Sequence, residues 1–304
     1  MKIKGLFLLI ILLLTFSVQS DTTFYGKLFV TLESQEMLTG TELNIENNAS
    51  RLGIKGNVEL KRELEVIYQA EYEVDPVDGI ADESNGRTFK QRNTFVCIKG
   101  SFGTLFLGAH DTAFRESQDK IDLFNDLASD IKNILEGENR LSELVGFTTP
   151  VFGKNFSATF NVIKEKDGLD DASSFSLKYR TSNIYAALAL DSKVEGYDSY
   201  RASLQIPFNK AQLGLMFQTS KELNTGNKEE AYVVSLSRKI TNKGTIKLQL
   251  TESDLKQVSG KQTTFGYDQE LSKKAKIFIF YADLSSPKVE KARNVTAVGF
   301  EFKF

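Results

Sequence analysis

The chain has one cysteine, one histidine, no tryptophan and only four prolines in 304 residues. The lone Cys97 cannot close an internal disulfide, and one thiol with one imidazole leaves a His/Cys zinc site short of ligands. Triad hydrolysis pairs its nucleophile with an imidazole and an acid, and His110 is the sole imidazole. No catalytic residue, metal or cofactor is therefore expected. The balance of 38 basic against 40 acidic residues, net charge -2, offers no footprint for nucleic acid. Beyond the first 20 residues no apolar run approaches a helical membrane span, and the mean hydropathy of -0.25 argues against a bundle of such helices. It does not argue against a membrane barrel, whose wall is only half apolar. With 41% hydrophobic and 26% charged residues, the chain is not disordered either.

What is present begins with an address. Lys2 and Lys4 precede the apolar run Leu6 to Leu14, and Val18-Gln19-Ser20 offers small or β-branched residues at a cleavage site. This is the pattern of a secretory signal peptide over 1–20. A membrane anchor would need ~20 apolar residues, more than this run holds. The expected mature chain, 21–304, is exported.

Period-two alternation dominates the chain from residue 21 onward. Phe24, Gly26, Leu28, Val30 and Leu32 share one parity; Thr23, Lys27, Thr31 and Glu33 hold the other. Leu64, Val66, Tyr68, Ala70, Tyr72 and Val74 alternate with Glu63, Glu65, Gln69, Glu71 and Glu73. Val298, Phe300, Phe302 and Phe304 alternate with Gly299, Glu301 and Lys303. These are strands with one apolar and one charged face. Seven short turns, such as Lys61-Arg62 and Thr181-Ser182-Asn183, interleave with eight longer polar gaps near 34–48, 75–87, 110–146, 165–173, 192–199, 220–230, 252–262 and 284–293. That count gives 16 strands, even in number, with short turns at one end and long loops at the other, as in an outer-membrane barrel. A soluble β-sandwich also alternates. At this length it would split into two domains, yet no linker interrupts the chain, and Tyr and Phe cluster near strand ends as a membrane interface requires.

With the strands placed, an ordered series of motifs stands out. Tyr25-Gly26-Lys27-Leu28 opens it, then Asn48 to Gly56, Tyr68 to Tyr72, Gln91 to Val96 and Phe102 to Gly108; Phe265 to Lys274 and Val298 to Phe304 close it. In this order the chain resembles the general, non-specific porins of Gram-negative outer membranes. The resemblance implies an all-β, 16-stranded antiparallel transmembrane barrel with a long third external loop folded into the pore. It implies passive diffusion of ions and small hydrophilic solutes, a homotrimer, and contact with outer-membrane lipid and lipopolysaccharide. Phe300, Phe302 and Phe304 match the signal that the barrel-assembly machinery reads in that family. A sugar- or anion-selective channel is the alternative, with an outer-membrane enzyme or receptor barrel more remote.

The longest gap, 110–146, corresponds to the family's constriction loop. Phe124, Leu127, Ala128, Ile131 and Leu135 recur at helical spacing, with Asp122, Asp126 and Asp130 at i, i+4 and i+8 opposite them. The expectation is an amphipathic helix whose acids face a basic wall. Arg51, Arg92 and Arg140 match the family's basic cluster, and placing Phe95 and Cys97 outward puts Arg92 inward. From Asp111 to Glu143 nine acids stand against four basic residues, so a weak cation preference is expected. Cys97 reads as a small buried hydrophobe, and His110 as a loop polar group.

Overall fold

The computed structural model describes residues 20–37, 40–60, 63–164, 171–254, 260–285 and 294–304. Residues 1–19 of the expected signal peptide, Lys61 and Arg62 where a short turn is expected, and parts of the first, fourth, seventh and eighth long gaps lie outside the described residues. The strands are β1 Ser20–Met37, β2 Gly40–Asn47, β3 Arg51–Leu60, β4 Leu64–Val74, β5 Phe89–Gly100 and β6 Gly103–Asp111. After the long segment 112–139 come β7 Arg140–Thr148, β8 Phe156–Ile163, β9 Ala172–Arg180, β10 Tyr185–Val194, β11 Tyr197–Phe208 and β12 Ala211–Glu222. The chain ends with β13 Lys228–Lys239, β14 Gly244–Ser253, β15 Gly260–Glu270, β16 Ala275–Ser285 and β17 Asn294–Lys303.

From β3 onward each strand pairs antiparallel with the next, and β17 returns to β1 from Lys27↔Lys303 to Glu36↔Asn294. On its other edge β1 pairs with β2 through Val30↔Asn47 and with β3 through Lys27↔Arg51. β2 and β3 are thus two halves of one strand, interrupted where Ala49 takes a φ of 55°. The Ser50 hydroxyl pins this kink, accepting from Phe29 N at 2.9 Å and donating to Phe29 O at 3.3 Å. Counted so, the fold is a closed antiparallel barrel of 16 strands.

The two faces invert the burial of a soluble protein. Leu28, Leu32, Ile54, Val96, Leu107, Phe160, Leu188, Leu250 and Ile279 are exposed on the outer face, while Thr31, Glu33, Ser174, Arg201, Gln218, Gln249 and Thr264 are buried on the inner one. An apolar band that large is a liability in water and a requirement in a bilayer. Glycines let aromatic rings lie flat across neighbouring strands. Phe304 covers Gly26, Tyr25 covers Gly53, Tyr68 covers Gly56, Phe106 covers Gly146 and Phe278 covers Gly299; a Cβ at any of these positions would overlap the ring.

Two of the long gaps are largely paired strand. β1 and β2 pair out to Met37↔Gly40, and β10 turns into β11 at Glu195-Gly196, with φ of 50° and 83°, the positive-φ pair that hairpins favour. Their polar sequence reflects strands leaving the membrane while the pairing continues. The segment 112–139 also departs from expectation. It holds one helical turn, α1 Ala113–Glu116, and a 3₁₀ turn at Ile131–Asn133, not an amphipathic helix across 122–135. Asp126 sits at φ 68°, which a right-handed helix does not permit. Short carboxylates here bind nearby backbone N–H groups and compete with helical pairing. Asp122 accepts from Phe124 N, and Asp130 accepts from Asp126 N and Lys132 N.

Replacing Gly146 with Val drives a branched side chain into the Phe106 ring. Overpacking of this kind costs about 1–3 kcal/mol. The expected outcome is a lower thermal or urea midpoint for the refolded barrel, read by circular dichroism.

Candidate functional site

The segment 112–139 lies against the inner face of the wall, and wall side chains hydrogen-bond its backbone. Ala113 N donates to Asn161 Oδ1 at 2.6 Å on β8 and Phe114 N to Ser174 Oγ at 2.9 Å on β9. Tyr185 of β10 donates to Ser117 O at 2.9 Å, and Gln205 of β11 to Gln118 O at 3.1 Å. On β14, Gln249 accepts from Leu123 N at 2.7 Å and Lys247 donates to Leu123 O at 3.1 Å. A segment without regular structure needs such partners for its buried polar groups. Two apolar contacts add to them. Ile121, Ile131, Ile134 and Leu135 pack on Met216, Ala231 and Val233 of β12 and β13. Phe124 and Leu127 pack on Phe29, Phe278, Phe280 and Val295 of β1, β16 and β17. The apolar residues expected to line one helix face are divided between these two patches, Phe124, Leu127 and Ala128 on one and Ile131 and Leu135 on the other.

The remaining wall, from β14 through β1 to β7, carries inward charges of alternating sign. Asp268 lies between Lys247 at 3.0 Å and Lys276 at 3.2 Å, and Glu301 between Lys276 at 3.7 Å and Lys303 at 2.8 Å. Glu71 meets Arg51 at 3.8 Å and Arg92 at 2.9 Å; Arg92 also holds Glu73 at 3.0 Å. Asp111 meets Arg115 at 3.3 Å and Arg140 at 3.0 Å. Alternation fails at one point, where Lys27 and Arg51 are register partners of the same sign. There Asp126 enters from the loop, 3.2 Å from Lys27 and 3.4 Å from Arg51. Burial pushes the Asp126 carboxyl up, but Lys27, Arg51 and Arg92 more than offset it and hold it at about 2.

Arg51, Arg92 and Arg140 therefore come together on one side of the interior, facing a space of about 580 Å³ that the loop closes on the other. Of the expected loop acids, Asp126 alone bridges to this cluster. Asp122 and Asp130 serve the loop's own turns, with Asp122 also accepting from Ile131 N at 3.3 Å and Gln249 Nε2 at 3.1 Å. Burial and then the Asp130 charge raise the Asp122 carboxyl.

Arg92 points inward for a different reason from the one expected. Val96 and Ile98 of β5 are exposed on the outer face, whereas Cys97 between them is buried on the inner face with Phe106. The register with β4 shifts between Ala70 and Tyr72, so that Arg92 and Asn93 of β5 form a bulge opposite Glu71 alone, which turns both inward. Asn93 accepts from Arg140 Nε at 2.7 Å and donates to Asp111 at 3.2 Å. His110 is clamped between Phe95 and Phe106, ring centroids 4.9 and 4.7 Å away. Phe300 and Phe304 are exposed on the outer face, and Phe304 N bonds Gly26 O at 3.1 Å, extending the closing ladder. The sequence reading missed Lys27, Glu71, Asp111, Lys247, Asp268, Lys276 and Glu301 as members of the site. Their shared inward parity in successive strands was the available signal.

A Gram-negative porin family model matches residues 10–287. The anion-selective porin from Comamonas acidovorans superposes with a TM-score of 0.77 at 20% identity, covering 94% of this chain and 100% of that one. Salmonella typhi OmpF in complex with daunomycin superposes with a TM-score of 0.77 at 12% identity, over 93% and 97% of the two chains. The major outer membrane protein P.IB of Neisseria sicca is 27% identical over 171 residues, 51% of this chain and 45% of that protein; the chain thus spans about half the length of the curated relative it matches.

The low Asp126 value fixes a pH window for the loop tip. A carboxyl held at about 2 against an ordinary 3.8 stabilises docking fully above the ordinary value and loses that contribution as pH falls through about 2. Hydrogen exchange of the segment 112–139 should be flat from neutral pH to about 4 after correction for intrinsic rates, then accelerate. Asp126→Asn should raise the neutral-pH rate and remove the acid step.

Proposed function

Because the chain belongs to the Gram-negative porin family, we propose that this outer-membrane barrel is a water-filled channel for passive diffusion of ions and small hydrophilic solutes, narrowed by the segment 112–139. The observation that carries the reading is the lining of the space between loop and wall. Seven basic and six acidic side chains face it, with Leu123 the single apolar one among the described residues. A lining this charged keeps water ordered at the narrow section. Polar solutes exchange hydration for wall contacts there, while an apolar solute strips water without compensation. Fixed charges of both signs, interleaved at ion-pair distance, cancel each other beyond a few ångströms, and salt screens the remainder over ~8 Å.

Selectivity among ions is correspondingly weak. The excess of acids in the loop argues for cations, but most of those acids are committed. Asp126 answers Lys27 and Arg51; Asp111 answers Arg115 and Arg140; Glu138 is buried against Arg201; Asp122 and Asp130 serve backbone N–H groups. The narrow section itself is lined by one more basic than acidic side chain, so any cation preference arises from the loop's other acids and not from that lining. Chemistry on a substrate finds no support in His110, whose Nδ1 lies 2.8 Å from Asp111 O and whose ring is held by two phenyl groups. The proposal extends to a homotrimer in contact with outer-membrane lipid and lipopolysaccharide, assembled by the barrel-assembly machinery through Phe300, Phe302 and Phe304.

Purified mature protein in a planar bilayer should give stable current steps, grouped in threes for a trimer. Under a salt gradient the reversal potential should be small beside the value for an ideally selective pore, and cation-sided. Folded protein without steps would refute the channel; a strongly anion-sided potential would refute the selectivity reading.

A further inference from the structure

The wall charge most thoroughly enclosed by the loop is not in the belt of alternating charges. Arg201 of β11 has a fully buried side chain, and Glu138, which it meets at 2.7 Å, is 3% exposed. Its remaining donors are all engaged. Nε and Nη2 donate to Gln218 Oε1 at 2.9 and 2.6 Å, Nη1 to Phe114 O at 3.3 Å, and Nη2 to Glu136 O at 3.5 Å. The guanidinium also lies 4.2 Å above the Phe114 ring. Gln218 adds a bond from Nε2 to Glu136 O at 2.8 Å.

These partners belong to the two ends of one segment. Phe114 is where the chain leaves β6, and Glu136 and Glu138 are where it returns to β7. Arg115 ties the same ends to each other, donating to Glu138 O at 3.1 Å. We propose that Arg201 is a positioning residue for diffusion: it staples both limbs of the segment 112–139 to β11 and so sets the width of the channel. This rests on the channel reading above.

The chemistry requires arginine at this position. Only a planar, delocalised cation with several fixed donors can meet a carboxylate, two backbone carbonyls and an amide while stacking on a phenyl ring. Lysine would keep the charge pair and lose the rest. The neck also differs from the loop tip. Asp126 answers Lys27 and Arg51, and the Arg51 side chain keeps 19% of its surface exposed, so salt reaches it. The Arg201–Glu138 pair is dry and little screened. High salt should loosen the tip and leave the neck in place.

The test uses the full mature barrel as wild type, Arg201→Ala, Arg201→Lys and Glu138→Gln. Two quantities are read on each: hydrogen exchange of the segment 112–139, and single-channel current with the size cut-off for neutral polyethylene glycols. Arg201→Ala should speed exchange at 113–116 and 136–139 by about tenfold or more, as expected when a buried ion pair loses one member. It should also give larger, noisier steps and admit larger polymers, with Arg201→Lys intermediate. Glu138→Gln leaves the wall unchanged and should shift both readings in the same direction; it carries the test if Arg201→Ala yields no folded barrel. Unchanged exchange and unchanged cut-off in the folded variants would overturn the staple. A silent wild type would refute the channel alone, because exchange still reports on the staple without current.

Discussion

The closing ladder between β1 and β17 is the interaction on which the rest depends. In hydrocarbon no water can satisfy a strand edge, so every backbone donor and acceptor must find a partner within the protein. Ten register pairs from Lys27↔Lys303 to Glu36↔Asn294 meet that demand where the chain's two ends come together. Once the sheet is closed, side chains have only two places to go. Outward residues meet acyl chains and inward residues meet water or the loop. The strict alternation of Leu, Val and Phe with Lys, Glu and Ser is the consequence, and the inverted burial pattern comes with it.

A closed barrel of this size has an interior that its wall side chains alone do not fill. The segment 112–139 divides that interior into two regions of different chemistry. Against β8–β14 and the apolar patch of β16, β17 and β1 it is anchored by hydrogen bonds and buried apolar contacts, a region that is packed protein. Against β3–β7 and the charged side chains Lys247, Asp268 and Lys276 of β14–β16 it leaves a space bounded by charges. The alternating belt makes those charges tolerable, because each one lies beside its opposite. Lys27 and Arg51 are the exception, and a loop carboxylate completes the pattern where the wall alone does not. Wall and loop are therefore one electrostatic unit.

Much of this was legible in the amino acids because the controlling period is two and the environments on the two faces differ so strongly. The strand count, the parity of Arg51 and the length of the loop all come from that contrast. Local conformation inside the loop was not legible. Phe124, Leu127, Ile131 and Leu135 have helical spacing because they dock on two inner-wall patches, yet Asp122, Asp126 and Asp130 bind the backbone in ways periodicity does not report. Polar hairpin ends at 34–48 and 192–199 read as loops because composition registers departure from the membrane, not departure from the sheet. Parity puts Arg92 on the correct side only by putting Phe95 and Cys97 on the wrong one. The extra residue that reconciles them leaves no mark in hydropathy.

That extra residue has an effect beyond parity. A regular strand shows the interior every second side chain, roughly 6.6 Å apart along its axis. At the bulge, Arg92 and Asn93 are consecutive and both inward. Arg92 faces back to Glu71 and Glu73 on β4, while Asn93 faces forward to Asp111 on β6 and Arg140 on β7. β5 thus acts as a junction that joins two otherwise separate runs of ion pairs, those of β1–β4 and those of β6 and β7, into one circuit of contacts along this side of the lumen. Excising one residue there would restore a regular strand and leave the barrel's apolar exterior untouched, but it would open the circuit.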